Sequence, residues 1–129
     1  MTHEEMKART KQFALRIIRL VQRLPQNLVT EVVGKQILRS GTSVGANYRA
    51  ACRAKSTADF IHKLSIVEEE TDESIYWMEL LIEGKIIKEN LLENLMDEGN
   101  QILSIVVASI KTSKEKRNPK SEITNPKSV

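Results

Sequence analysis

Aromatic side chains are scarce in this 129-residue chain: two Tyr, two Phe and one Trp make up 4% of it. Its core must therefore be aliphatic. Five glycines and three prolines are too few for the turn-rich composition of an all-β protein. A single cysteine, Cys52, excludes an intramolecular disulfide and a thiolate cluster and suits a reducing, cytoplasmic compartment. No stretch reaches the roughly 18 consecutive apolar residues of a membrane span, so no membrane partner is expected. The polar, acidic start Met1-Thr2-His3-Glu4-Glu5 does not read as a signal peptide. The length fits one domain.

What is present is charge, unevenly placed. The net charge is +3, from 20 Lys+Arg and 17 Asp+Glu. Residues 1–55 carry +8, residues 56–110 carry −9 and residues 111–129 carry +4. The two halves are thus oppositely charged, and the excess sits at the C-terminal end.

Hydrophobic spacing predicts four helices. The first runs from about Thr2 to Leu24, with Phe13, Ile17, Leu20 and Leu24 on one face and Pro25 ending it. The second runs to about Ala54, capped by Asn27 or Thr30. Its inner face carries Val33, Ile37, Ser40, Val44, Asn47, Ala51 and Ala54. The small-residue stretch Ser40–Ala46 includes Gly41 and Gly45, which together cost a helix roughly 2 kcal/mol relative to alanine. Either a neighbouring helix approaches closely there, or the helix breaks near Gly41. The third begins at Ser56-x-x-Asp59, resembling a capping box, and ends at Glu83, with Gly84 suited to a left-handed position. Its core stripe is Phe60, Leu64, Val67, Thr71, Ser74, Met78 and Leu81. The fourth runs from about Lys88 to Ser113 with Leu91, Leu92, Leu95, Ile102, Ile105, Val106 and Ile110 on its apolar face. The fold class is all-α, an antiparallel up-and-down four-helix bundle over residues 1–113. Residues 114–129 read as a disordered basic tail.

Little of this can do chemistry. No Glu-x-x-His pair supports a di-metal carboxylate centre. Glu68, Glu69, Glu70 and Glu73 read as a solvated or salt-bridged face before they read as a cation site. Cys52 reads as a small buried side chain. No metal, no cofactor and no enzymatic activity is expected.

The charged stripes are more informative. On the first helix Arg9, Arg16, Arg19 and Arg23 fall within about 80° of arc, and on the second Lys35, Arg39, Arg49 and Arg53 do the same. Glu68, Glu69, Asp72, Glu79 and Glu83 cluster within about 100° on the third. These basic helices either pair with acidic ones, within or between subunits, or face nucleic acid. A further stripe on the third helix, Asp59, His62, Ile66, Glu70, Glu73, Trp77 and Leu80, offers apolar surface beyond the needs of one core. Either a second subunit buries it or Trp77 caps the bundle core. Opposite charge on different faces favours a head-to-tail contact that closes into a ring.

Two segments carry a family resemblance. Arg39-Ser40-Gly41-Thr42-Ser43-Val44-Gly45-Ala46-Asn47-Tyr48-Arg49 resembles the signature of bacterial four-helix bundle proteins encoded in intervening sequences of large-subunit rRNA genes. Asp59-Phe60-Ile61-His62-Lys63-Leu64, followed by Glu70-x-x-Glu73-x-x-Tyr76-Trp77-x-x-Leu80-Leu81, is similar to its second signature. The resemblance spans about residues 8–112. It implies a ring-like homopentamer without enzymatic activity. It also implies kinship with the accessory variability determinant proteins of diversity-generating retroelements, whose basic pentamers engage reverse transcriptase and nucleic acid. Val67-Glu68-Glu69-Glu70 departs from the Ala-Leu-Lys-Glu common in relatives and makes the third helix more acidic.

By this resemblance Ser40, Ser43, Asn47, Glu70 and Glu73 form a buried or interfacial polar network, and Arg39 and Arg49 either pair with Glu70 or Glu73 or face nucleic acid; the further stripe on the third helix adds Asp59, His62 and Trp77 as interface candidates. Arg9, Arg16, Arg19, Arg23, Lys35, Arg49, Arg53, Lys114, Lys116 and Arg117 are the nucleic-acid-binding candidates. The expected function is a non-catalytic oligomer acting as a nucleic-acid-binding or adaptor protein. Its partners would be itself, RNA or DNA, and a reverse transcriptase. The alternative is a self-assembly or protein-interaction module that binds no nucleic acid.

Overall fold

Thr2, Asn27 and Ser56 each stand just ahead of a stretch with helical apolar spacing, and each starts a helix. The structure, a computed structural model, describes residues 1–117. It contains α1 (His3–Gln22), α2 (Leu28–Cys52), α3 (Thr57–Glu83) and α4 (Glu89–Arg117). No strand occurs among the described residues.

The caps are local and specific. The Thr2 hydroxyl accepts from Glu5 N–H at 3.0 Å, and Glu5 accepts from Thr2 N–H at 2.7 Å. Asn27 and Thr30 share the α2 start: Asn27 Oδ1 accepts from Thr30 N–H, and Thr30 Oγ1 accepts from Asn27 N–H. Ser56 caps α3 through Asp59 N–H. Asp59, one methylene shorter than the usual glutamate, takes Lys55 N–H and the Lys63 ammonium instead of closing the box.

The helices pack in chain order, α1 on α2, α2 on α3 and α3 on α4, consistent with a four-helix bundle. The remaining neighbours, α1 and α4, touch far less. Phe13, Ile17, Ile37, Val44, Leu64, Val67, Met78, Leu81, Leu92 and Ile102 are buried at the centre. Each large side chain so buried contributes about 1.5–3 kcal/mol.

α2 is unbroken through Gly41. A Cβ there would lie 2.8 Å from Ile17 Cγ1 and 3.0 Å from its Cγ2. At Gly45 it would lie 3.3 Å from the Thr10 carbonyl oxygen. The missing side chains let α1 and α2 approach closely, which is the compensation expected for two helical glycines.

Three expectations are corrected. Gly84 is not left-handed: its φ is −78°, and Lys85 takes the positive φ of 62°. Gly84 instead clears the Leu80 carbonyl oxygen, 2.8 Å from where a Cβ would stand. Leu91, placed on the apolar face, is 72% exposed, while Leu92 in the same first turn of α4 is buried. α4 also continues through Lys114, Lys116 and Arg117, which were expected in the tail. Lys, Glu and Arg are good helix formers, and cations suit a helix C-terminus. The rest of the expected tail, residues 118–129, lies outside the described residues.

Substituting two α2 glycines should separate propensity from packing. Gly41→Ala is expected to lower stability by about 1–3 kcal/mol, since Ile17 must move. Gly34→Ala meets only ordinary contacts at 3.5 and 3.6 Å and should gain up to about 1 kcal/mol. Thermal unfolding followed by circular dichroism at fixed concentration would measure both.

Acid should act at the caps. Hydrogen bonds from Thr2 hold Glu5 below its ordinary value, and Lys63 followed by Lys55 N–H does the same for Asp59. A depressed carboxylate stabilises the fold above its ordinary pKa of about 4 and loses that contribution as pH falls through the lower folded value. The midpoint should therefore be level above about pH 6 and drop below about pH 4. The drop should be shallower in Glu5→Gln and Asp59→Asn, compared by melts across that range.

Candidate functional site

A polar cluster joins α2 to α3 at mid-height. Arg39 Nη1 donates to Glu70 Oε1 at 3.2 Å and Oε2 at 3.3 Å, and its Nη2 donates to Glu73 Oε2. Trp77 Nε1 donates to the same Glu73 oxygen at 3.1 Å. Glu73 and then Glu70 push the Arg39 pKa further up, so its charge is permanent. Trp77 packs its half-buried ring against the core and spends its N–H on Glu73. Just inside, Ser74 Oγ donates to Ser40 Oγ at 2.9 Å, with both residues fully buried.

The expected network is smaller than its candidate list. The side chains of Ser43 and Asn47 bond carbonyls of their own helix, Arg39 O and Ser43 O. Asp59 is a cap, and His62 is exposed. Arg49 does not reach Glu70 or Glu73, because it lies ten residues beyond Arg39, about 15 Å along α2.

The basic stripe on α1 divides. Arg9 faces α4: its Nε donates to Glu98 Oε2 at 2.5 Å and its Nη2 to Glu98 Oε1 at 2.9 Å, and Gln101 adds a third acceptor. This fork spans the sparsely packed α1–α4 seam. It holds the Arg9 guanidinium against α4. Arg16, Arg19 and Arg23 lie farther along and have no ionic partner among the described residues. With Lys88 they line a groove of about 650 Å³ between α1 and the start of α4. Leu20, Leu92 and Leu95 also line it.

A second group of cations gathers where α2 and α4 end. Lys55 and Lys116 line one cavity of about 800 Å³ with His3, Cys52, Phe60 and Ile105. His3 stacks on Phe60 at 5.9 Å between ring centroids and meets Tyr48 edge-on at 6.3 Å. Burial, then Cys52, raises the Tyr48 phenol above its ordinary pKa. Arg49, Arg53, Lys114 and Arg117 are exposed on these terminal stretches. Lys35 makes only an exposed pair with Glu31, at 3.6 Å. Among the described residues no group of three or more His, Cys, Asp or Glu could hold a metal ion.

Lys55 and Lys88 also belong to these sites, although neither lies on one of the basic stripes. Each sits beside a helix start, off the regular spacing. The signal available was nearness to a helix start, which does not say what a side chain faces.

Residues 3–108 match the family model described as 23S rRNA-intervening sequence protein. The fold is similar to a crystal structure of a protein of unknown function from the S23 ribosomal protein family of Bacteroides thetaiotaomicron. The identity is 41% and the TM-score 0.77, over 86% of this chain and 99% of that one. Among curated proteins, none matches the chain.

The two arginine forks should differ in weight. Arg9 and Glu98 have side chains 23% and 20% exposed, and charged hydrogen bonds in such a setting are worth about 1.5–3 kcal/mol. Arg39 is half exposed, so its pairs should contribute about 1 kcal/mol or less. Urea unfolding of Arg9→Ala and Arg39→Ala at one protein concentration should show the larger loss for Arg9→Ala.

Proposed function

The chain belongs to the 23S rRNA-intervening sequence protein family, and from that membership and its charge layout we propose a non-catalytic, oligomeric nucleic-acid-binding or adaptor bundle. The helices are arranged antiparallel, up and down, and the bundles form a ring, a pentamer by family resemblance. The packing at Gly34, Gly41 and Gly45 supports the helix order: the partners are Leu24, Ile17 and Thr10, so α1 numbering falls as α2 numbering rises. No described helix is long and apolar enough to cross a membrane, which fits a cytoplasmic protein.

The observation that carries the nucleic-acid reading is the collection of cations where α2 and α4 end. Arg49, Arg53, Lys55, Lys114, Lys116 and Arg117 all lie on these two terminal stretches, without an ionic partner among the described residues. Two helix C-termini present about one negative charge together, so the cations exceed what the helix dipoles need. Arginine and lysine on an exposed end suit a phosphate backbone, with nucleic acid or a nucleic-acid-bound reverse transcriptase as partner.

A second reading keeps the oligomer and removes the nucleic acid. It is favoured by Arg9 and Arg39, which are taken by carboxylates of the same chain. On that reading charge serves register and assembly alone.

Fluorescence anisotropy with labelled single-stranded RNA and duplex DNA separates the two. The first reading expects binding at about 50 mM salt, falling with a log–log slope of about 0.7–0.9 per phosphate contact. Arg53→Glu with Lys116→Glu should weaken binding about tenfold or more and flatten the slope by about two contacts. An unchanged signal with both probes at low salt would leave the assembly reading alone.

A further inference from the structure

α3 carries one face that no other described residue covers. Glu69, Asp72, Tyr76, Glu79 and Glu83 recur at 3-4-3-4 spacing and all are exposed. At 100° per residue they fall within about 80° of arc and run about 21 Å along the helix. Four carboxylates thus flank one tyrosine that is 51% exposed. None of the four has an ionic partner among the described residues.

The α1–α4 groove has the opposite character. Arg16, Arg19, Arg23 and Lys88 bring four cations to its walls, and Leu92 and Leu95 lie beneath them. Leu91 at its edge is the second most exposed large apolar side chain of the fold described. The groove exists because α1 and α4 pack sparsely.

We infer that this groove seats the acidic, tyrosine-centred face of α3 from a second copy of the chain. The inference rests on the oligomeric reading above and gives it a specific contact. The stripe cannot fold onto its own groove, because it points away from the core of a bundle in which α3 packs against α2 and α4. Residues 118–129 are a poor occupant, since they are themselves net basic. A phosphate backbone would satisfy the arginines but leave the exposed Leu91 facing a polar ligand. Tyr76 satisfies both demands: its ring covers Leu91 while the flanking carboxylates meet the cations. Groove and stripe are different surfaces, so the contact is head-to-tail and each copy keeps one of each to offer.

Sedimentation of the full chain at micromolar concentration tests this, with circular dichroism as the control for folding. The wild type should assemble at about 0.1 M salt and loosen at about 1 M, where the screening length falls from about 10 to about 3 Å. Reversing the groove (Arg16→Glu, Arg19→Glu, Arg23→Glu) should give helical monomers. Reversing the stripe (Glu69→Arg, Asp72→Arg, Glu79→Arg) should do the same. A chain carrying all six changes should assemble again, because the complementarity is restored with both signs exchanged. Tyr76→Ala and Arg19→Ala, milder changes at exposed positions, should each weaken assembly about tenfold and combine non-additively. Assembly that survives either reversal overturns this contact and leaves the oligomeric reading standing. A wild type that stays monomeric overturns both. A groove reversal that abolishes RNA binding and spares assembly would assign the groove to phosphate instead.

Discussion

Everything else in this fold depends on how closely α2 lies between its neighbours. Gly41 and Gly45 let the backbone come against Ile17 and Thr10 of α1. On the other side Ser40 meets Ser74 of α3 by a buried hydrogen bond. A core with almost no aromatic rings gains its contact area from such proximity. The hydroxyl pair links α2 to α3 at one axial register, while each hydroxyl also reaches a carbonyl of its own helix, Ile37 O for Ser40 and Glu70 O for Ser74.

That register distributes the charges. With α2 fixed against α3, Arg39 falls opposite Glu70 and Glu73, and Trp77 completes the same cluster. With α1 fixed against α2, Arg9 turns toward Glu98 on α4. The remaining cations then fall in two places, along the α1–α4 groove and at the end where α2 and α4 finish. One arginine stripe on a helical wheel thus becomes one internal strut and three outward charges. Asymmetric packing allows this: α1 touches α4 too little to cover its own basic face.

The fold was more legible than the site. Apolar residues at 3.6-residue spacing, three polar caps and Pro25 delimit the helices within a few residues, because each signal acts through its own backbone neighbourhood. Gly84 shows where local logic stops: the left-handed turn passes to Lys85, and the glycine is needed for the approach of a carbonyl. At the candidate sites, spacing found which cations share a helix face. It could not find Lys55 and Lys88, whose positions follow from how helix ends meet. It placed Ser43 and Asn47 in a network, although each returns its hydrogen bond to its own helix.

By itself the sequence determined the helical class, the helix limits, the small-residue seam and the opposition of a +8 half to a −9 half. These are properties of composition and of residues a turn or two apart. Only the tertiary structure decided which arginines are neutralised and which are left exposed. Ion pairing across helices depends on distances of a few ångströms between residues 31 to 89 positions apart, which register and crossing set. A helical wheel holds the angle of each side chain about its own axis. It does not hold the neighbour that side chain faces.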